Sequence, residues 1–124
     1  MNEKKRMKIL VVDDERLALE IMTEFLSFID IDILKARDGI EGFEMAKKFM
    51  PDIIISDNVM PGMTGLELCR KLRKMKPFET VIFILTSAIN VTAEDAADAM
   101  EQGADDFIKN DLKEVEFLAK VSDL

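Results

Sequence analysis

Residues 52–65 read Asp-Ile-Ile-Ile-Ser-Asp-Asn-Val-Met-Pro-Gly-Met-Thr-Gly, a run of β-branched residues that delivers one carboxylate, Asp57, to a turn made by Pro61 and Gly62. The isoleucine run has no polar alternation and suits a strand covered on both faces, which occurs mainly in parallel sheets flanked by helices. Ligands of such sheets collect outside the carboxyl ends of the strands, so Asp57 lies where chemistry is expected. An isolated aspartate after a strand often does no more than form a turn. A second acidic strand end argues against that reading here, because the apolar run Ile9–Val12 ends in Asp13 and Asp14. Two neighbouring strands of this kind would bring three carboxylates together, which repel one another unless a cation joins them or protons neutralise them. Oxygen donors without histidine or cysteine favour a hard divalent ion, and a small ion that keeps several waters and binds phosphate points to Mg²⁺. The stretch reads as a phosphoryl-transfer site.

Working outward, the next apolar positions are Ala18, Ile21, Met22, Phe25, Leu26 and Ile29, spaced as the buried face of an amphipathic helix. Residues 31–36 read as a second strand, interrupted by Asp32. Asp38 and Glu41 form a capping-box pattern for a helix with Ile40, Phe43, Ala46 and Met50 inward, stopped by Pro51. Thr64 and Glu67 repeat the pattern beyond the Pro-Gly turn. The helix they open places Leu68, Cys69 and Leu72 inward and a basic run, Arg70, Lys71, Arg73 and Lys74, on a solvated face. Val81–Leu85 is a fourth apolar strand and ends in Thr86 and Ser87. Thr92 is the expected N-cap of a helix with Ala93, Ala96, Ala97 and Met100 inward, closed at Gly103. Phe107-Ile108 forms a short fifth strand, and Leu112, Val115, Leu118 and Ala119 line one face of a last helix.

Strand and helix alternate five times, so the fold class is α/β, with a doubly wound five-stranded parallel sheet and helices on both faces. Right-handed crossovers leave few topologies, and order 2-1-3-4-5 is the common one at this size. That order makes strands 1 and 3 neighbours, gathers Asp13, Asp14 and Asp57, and sets Thr86 on the adjacent strand.

The 124 residues suffice for one domain with a sizeable core, 1–124, in which residues 1–7 are a flexible lead-in carrying part of the basic cluster Lys4, Lys5, Arg6 and Lys8. A net charge of -8 argues against a nucleic-acid-binding surface as the main function. The sequence shows neither a membrane span nor the apolar stretch of a signal peptide, so the expected location is cytoplasmic. Cys69, the one cysteine, is expected to pack in the core. Histidine is absent, which removes Ser-His-Asp and Cys-His nucleophilic sites, histidine metal ligands and an internal phosphohistidine donor.

In order and spacing, four motifs resemble the receiver domain of two-component response regulators, across essentially the whole chain. They are Val-Val-Asp13-Asp14, Asp57 with Met60-Pro61-Gly62 and Gly65, Leu85-Thr86-Ser87-Ala88, and Gly103-Ala104-Asp105-Asp106-Phe107. The resemblance implies a phosphoacceptor signalling switch with Asp57 as nucleophile toward a phosphohistidine on a histidine kinase or phosphotransfer protein. It implies Mg²⁺ held by Asp13, Asp14, Asp57 and the backbone carbonyl of Val59, with Thr86 hydrogen-bonding a phosphoryl oxygen. Thr86 and Phe107 would form the switch, acting on an output domain or effector protein. Such a chain is not a conventional enzyme, since it catalyses its own aspartyl phosphorylation and slow dephosphorylation.

One departure stands at the end of strand five, where the family pattern is an aromatic, two residues, then Lys and Pro. This chain reads Phe107-Ile108-Lys109-Asn110-Asp111. Residues two apart share a strand face and residues three apart do not, so Phe107 and Lys109 cannot both take their family positions. Lys109 is the expected phosphate-binding cation, because an amide at Asn110 supplies no charge, with the cost falling on Phe107. The competing readings are a phosphate-independent interaction module on the same fold and a Mg²⁺-dependent phosphohydrolase, for whose substrate pocket 124 residues leave little room.

Overall fold

The computed structural model describes residues 6–109. Five strands, β1 (Lys8–Val12), β2 (Asp32–Ala36), β3 (Ile53–Asp57), β4 (Ile82–Ser87) and β5 (Asp106–Lys109), form one parallel sheet in the order β2-β1-β3-β4-β5. Four α-helices are described: α1 (Arg16–Leu26), α2 (Gly39–Phe49), α3 (Gly65–Arg73) and α4 (Ala93–Glu101). The expected fifth helix falls on residues 110–124, outside the described residues.

Strand alternation divides the core into two layers. Ile9, Val11, Ile53, Ile55 and Ile84 pack with Leu19, Met22 and Leu26 of α1. On the opposite face Leu10, Val12, Ile54, Phe83 and Leu85 meet Ala46, Leu68, Cys69, Leu72 and Ala99 from α2, α3 and α4. Burial of all but one residue in each of β1 and β3 explains why these strands are near-continuous aliphatic runs.

Three helix faces differ from their expected ones. In α1 the deepest ridge is Leu19, Met22 and Leu26, spaced i, i+3, i+7, while Ala18, Ile21, Phe25 and Ile29 flank it half-buried. In α2 the inward residues are Gly39, Gly42 and Ala46, whose small size lets the helix lie close on Val12 and Leu68. Ile40 consequently points outward, 68% exposed, and Met50 caps the helix in the left-handed region at φ 50. In α4 only Ala99 is buried, with Ala93, Ala97 and Met100 exposed, because an alanine-rich helix carries little apolar contrast to fix its orientation.

The basic run on α3 is not wholly solvated. The Arg73 guanidinium turns toward the start of the sheet and donates to the carbonyls of Val81 (2.6 Å), Phe78 (2.8 Å) and Gly103 (3.0 Å). It also pairs with Asp105 at 3.0 Å, and the same carboxylate oxygen accepts the Phe83 N–H at 2.8 Å. One side chain thereby ties α3, the entry to β4 and the entry to β5. In the basic lead-in, Arg6 pairs with Asp30 and Asp32, and Lys8 is the first residue of β1.

Candidate functional site

The site forms where β1, β3 and β4 end. Val12 pairs with Ser56, so the next step along each strand sets Asp13 beside Asp57, and Asp57 is itself in register with Thr86. Asp13 continues the face of Ile9 and Val11, Asp57 that of Ile53 and Ile55, and Thr86 that of Ile84. All three therefore emerge on the α1 side of the sheet. One carboxylate oxygen from each of Asp13, Asp14 and Asp57 lies within 4.8 Å of the others. A cleft of about 200 Å³ opens beside Asp13 and Asp57, walled by Leu17, Ala18, Ile21 and Ala88.

Burial and mutual repulsion govern these acids. Burial is the main cause of the raised Asp13 carboxyl, with Asp14 and Glu15 adding to it, against a 3.0 Å hydrogen bond from the Glu15 N–H. Asp57 is pushed up to about 6, first by burial and then by Asp13 and Asp14, while the backbone N–H groups of Val59 and Asn58 oppose the shift. An all-oxygen set of neighbouring like charges fits a hard divalent cation. The Thr86 hydroxyl is a second unsatisfied group, since its Oγ1 is buried with no hydrogen-bond partner among the described residues. A buried hydroxyl without a partner is costly unless a bound group completes it.

The loop after β3 is built to carry Asp57. The chain turns through Pro61 and Gly62, the latter at φ 83, where a side chain would be strained. Thr64 then opens α3 with the full capping box to Glu67. Gly65 sits so close to β3 that a Cβ there would meet the Asp57 carbonyl oxygen at 2.3 Å. Val59, two residues beyond Asp57, is 71% exposed.

Topology thus brings Asp13, Asp14, Asp57 and Thr86 together. Phe107 lies half-buried against the α2/α3/α4 layer, in register with Leu85. Lys109 ends β5 opposite Ser87 and is exposed. By alternation it leaves the strand on the face of Phe107, whereas Ile108 shares the face of Thr86 and Asp57. Lys109 therefore starts from the side of the sheet away from the acids, and Phe107 keeps an inward-facing position. Asn110, its competitor for the cation slot, lies outside the described residues. Sequence reasoning missed Asn58, whose bonds reach β4 and α3; its position directly after Asp57 was the available signal.

Residues 9–122 match the family model for the response regulator receiver domain. Response regulator MprA of Mycobacterium leprae is 36% identical over 115 residues, covering 93% of this chain and 49% of the relative. The chain spans about half the length of the curated relatives it matches. A signal receiver domain of a signal transduction histidine kinase from Syntrophus aciditrophicus superposes with a TM-score of 0.83 at 32% identity, over 94% of this chain and 88% of that one. Chemotaxis protein CheY4 of Vibrio cholerae shares the fold with a TM-score of 0.89 at 24% identity, over 96% and 98% of the two chains. With its sheet order and its three acids gathered at the ends of β1 and β3, the chain belongs to the family of response regulator receiver domains.

Proposed function

We propose that the chain is a phosphoacceptor switch that takes a phosphoryl group onto Asp57 from the phosphohistidine of a partner histidine kinase or phosphotransfer protein. The observation that carries this reading is the approach of the Asp13, Asp14 and Asp57 oxygens to within 4.8 Å of one another. Receiver domains generally bind Mg²⁺ at such an acidic pocket. Here Asp13, Asp14, Asp57 and the Val59 carbonyl would hold the ion, which would supply neutralising charge to the acids and to the transferring phosphoryl group.

The remaining work falls to the chain. An ionised Asp57 oxygen attacks phosphorus, the P–N bond to imidazole breaks, and an acyl phosphate forms as the imidazole leaves. In the metal-free pocket, burial and the neighbouring carboxylates push Asp57 up to about 6, and a bound cation would favour its ionised, nucleophilic form. The Thr86 hydroxyl, buried and without a partner among the described residues, would donate to a phosphoryl oxygen once one arrives. Phe107 packs beside Leu85 on the opposite face of the sheet from Thr86, so a shift of Thr86 would reach it only through the paired β4 and β5 backbones, and in this way alter the surface that an output domain or effector reads. Lys109 is the proposed phosphate-binding cation, with its stem reaching round the end of β5.

The chain as a single receiver domain over 1–124 is part of the same proposal. The exposed Lys109 on the Phe107 face favours a second reading, an interaction module that works without phosphate. Incubation with Mg²⁺ and a small phosphodonor, followed by intact mass measurement, separates the two. One added phosphoryl group on wild type supports the switch; no addition from either a small donor or a phosphorylated kinase supports the module.

A further inference from the structure

The residue after the acceptor is joined to both neighbours of the site. The Asn58 N–H donates to the Thr86 carbonyl at 2.9 Å, which fixes the β4 end beside Asp57. Its own carbonyl accepts the Gly65 N–H at 2.9 Å, and its side-chain Oδ1 accepts the Leu66 N–H at 3.0 Å. Thr64 is the N-cap, so Gly65 and Leu66 are the first two helical positions of α3, and the Thr64 hydroxyl takes the third N–H, from Glu67, at 3.0 Å. Of the first three N–H groups that a helix leaves without intrahelical partners, Asn58 satisfies two. Backbone contact tightens the joint further, because Gly65 lies against the Asp57 carbonyl oxygen.

We propose that Asn58 is a positioning residue for phosphoryl transfer: its side chain locks the acceptor loop to the start of α3 and so sets where the Asp57 carboxylate stands relative to Thr86. This rests on the phosphoacceptor reading above. The two backbone bonds survive any substitution except proline, so the side-chain bond to Leu66 is the part that side-chain identity controls. Without it the loop of residues 58–64 gains freedom at its root, next to the nucleophile. Small misplacements of a nucleophile act on the rate of reaction rather than on binding of the donor.

Thr64 supplies a matched control, since it caps the same helix end from outside the acceptor strand. Asn58→Leu and Thr64→Ala each remove one side-chain acceptor from the first turn of α3. With a small phosphodonor and saturating Mg²⁺, Asn58→Leu is expected to lower the maximal labelling rate about tenfold at unchanged half-saturation by donor. Thr64→Ala should stay within about twofold of wild type, although both variants lose thermal stability. Asn58→Asp keeps the acceptor and places its charge at a helix N-terminus, so it should restore most of the rate. If Asn58→Leu does not fold, Asn58→Ser, whose shorter side chain draws the acceptor back, carries the same comparison. Equal labelling by the Asn58 and Thr64 variants, or a loss confined to half-saturation, overturns the proposal while wild-type labelling keeps the phosphoacceptor reading intact. A wild-type chain that takes no phosphoryl group removes both.

Discussion

The two ends of the sheet hold charge in opposite ways. At the amino-terminal end of β4 and β5, one half-buried guanidinium, Arg73, meets four carbonyls and the carboxylate of Asp105. At the carboxyl ends of β1 and β3, three carboxylates face one another, and beside them the buried Thr86 hydroxyl has no partner among the described residues. The first arrangement is complete and contributes stability. The second is incomplete and costs stability, and a bound cation and phosphoryl group are what would complete it. A fold can keep such a frustrated corner because the opposite end is fully satisfied.

The sharpest way to break the contrast is to remove the acceptor. Asp57→Asn should abolish labelling altogether while the chain stays folded, as intact mass and circular dichroism would report. Labelling at the wild-type rate would move the acceptor elsewhere. At the other end, Arg73→Met should cost about 3 kcal/mol in urea unfolding, because it strands buried carbonyls and the Asp105 carboxylate. Folded Arg73→Met should still label near the wild-type rate, which would separate the holding end from the reacting end.

Acidity offers a third probe of the same difference. A carboxyl raised on folding binds more protons in the folded chain than in the unfolded one. The contribution of Asp57 to metal-free stability is therefore full below its ordinary value of 3.8 and is lost as pH rises through about 6. The loss should be on the order of 2 kcal/mol and absent in Asp57→Asn, read from melts at several pH values. Relieving the repulsion with Asp14→Ala should raise metal-free stability by about 1 kcal/mol and shrink the Mg²⁺-dependent shift in melting temperature. An undiminished shift would remove Asp14 from the metal set. The smallest expected effect is at Val59, which is exposed and can neither orient nor activate a water. Val59→Asn or Val59→Glu should shorten the lifetime of the acyl phosphate by a few-fold, and an unchanged lifetime would clear this position of control.

The layers were legible in the sequence wherever one physical signal dominated. Aliphatic runs gave β1, β3 and β4, and the Thr64 and Thr92 caps opened α3 and α4 at the expected residues. Sheet order then brought Asp13, Asp14, Asp57 and Thr86 together. What stayed hidden depended on reach. Arg73 sits in a basic run whose other members face water, and its partners lie up to 32 residues away. Asn58 acts through backbone groups of α3, which no residue type announces. The face of α4 was misread because alanines differ too little to rank by burial. In the Asp38 cap, Glu41 turns to the Arg37 N–H at 3.3 Å, so the sequence pattern is present but the reciprocal bond lands one residue earlier.

Among the described residues the strand β2 has a neighbour on one side only, so its outer backbone groups are a template on which another chain could add a strand. It is also the least apolar of the first four strands, with Asp32 and Lys35 both exposed and Arg6 clamped to Asp32 at 2.9 Å. A strand arriving there must desolvate charges of both signs, whereas β1 and β3, the sticky aliphatic strands, are enclosed within the sheet. The order of the strands therefore protects solubility as well as building the pocket: the segments most prone to aggregate are the ones that the folded chain never offers to a neighbour.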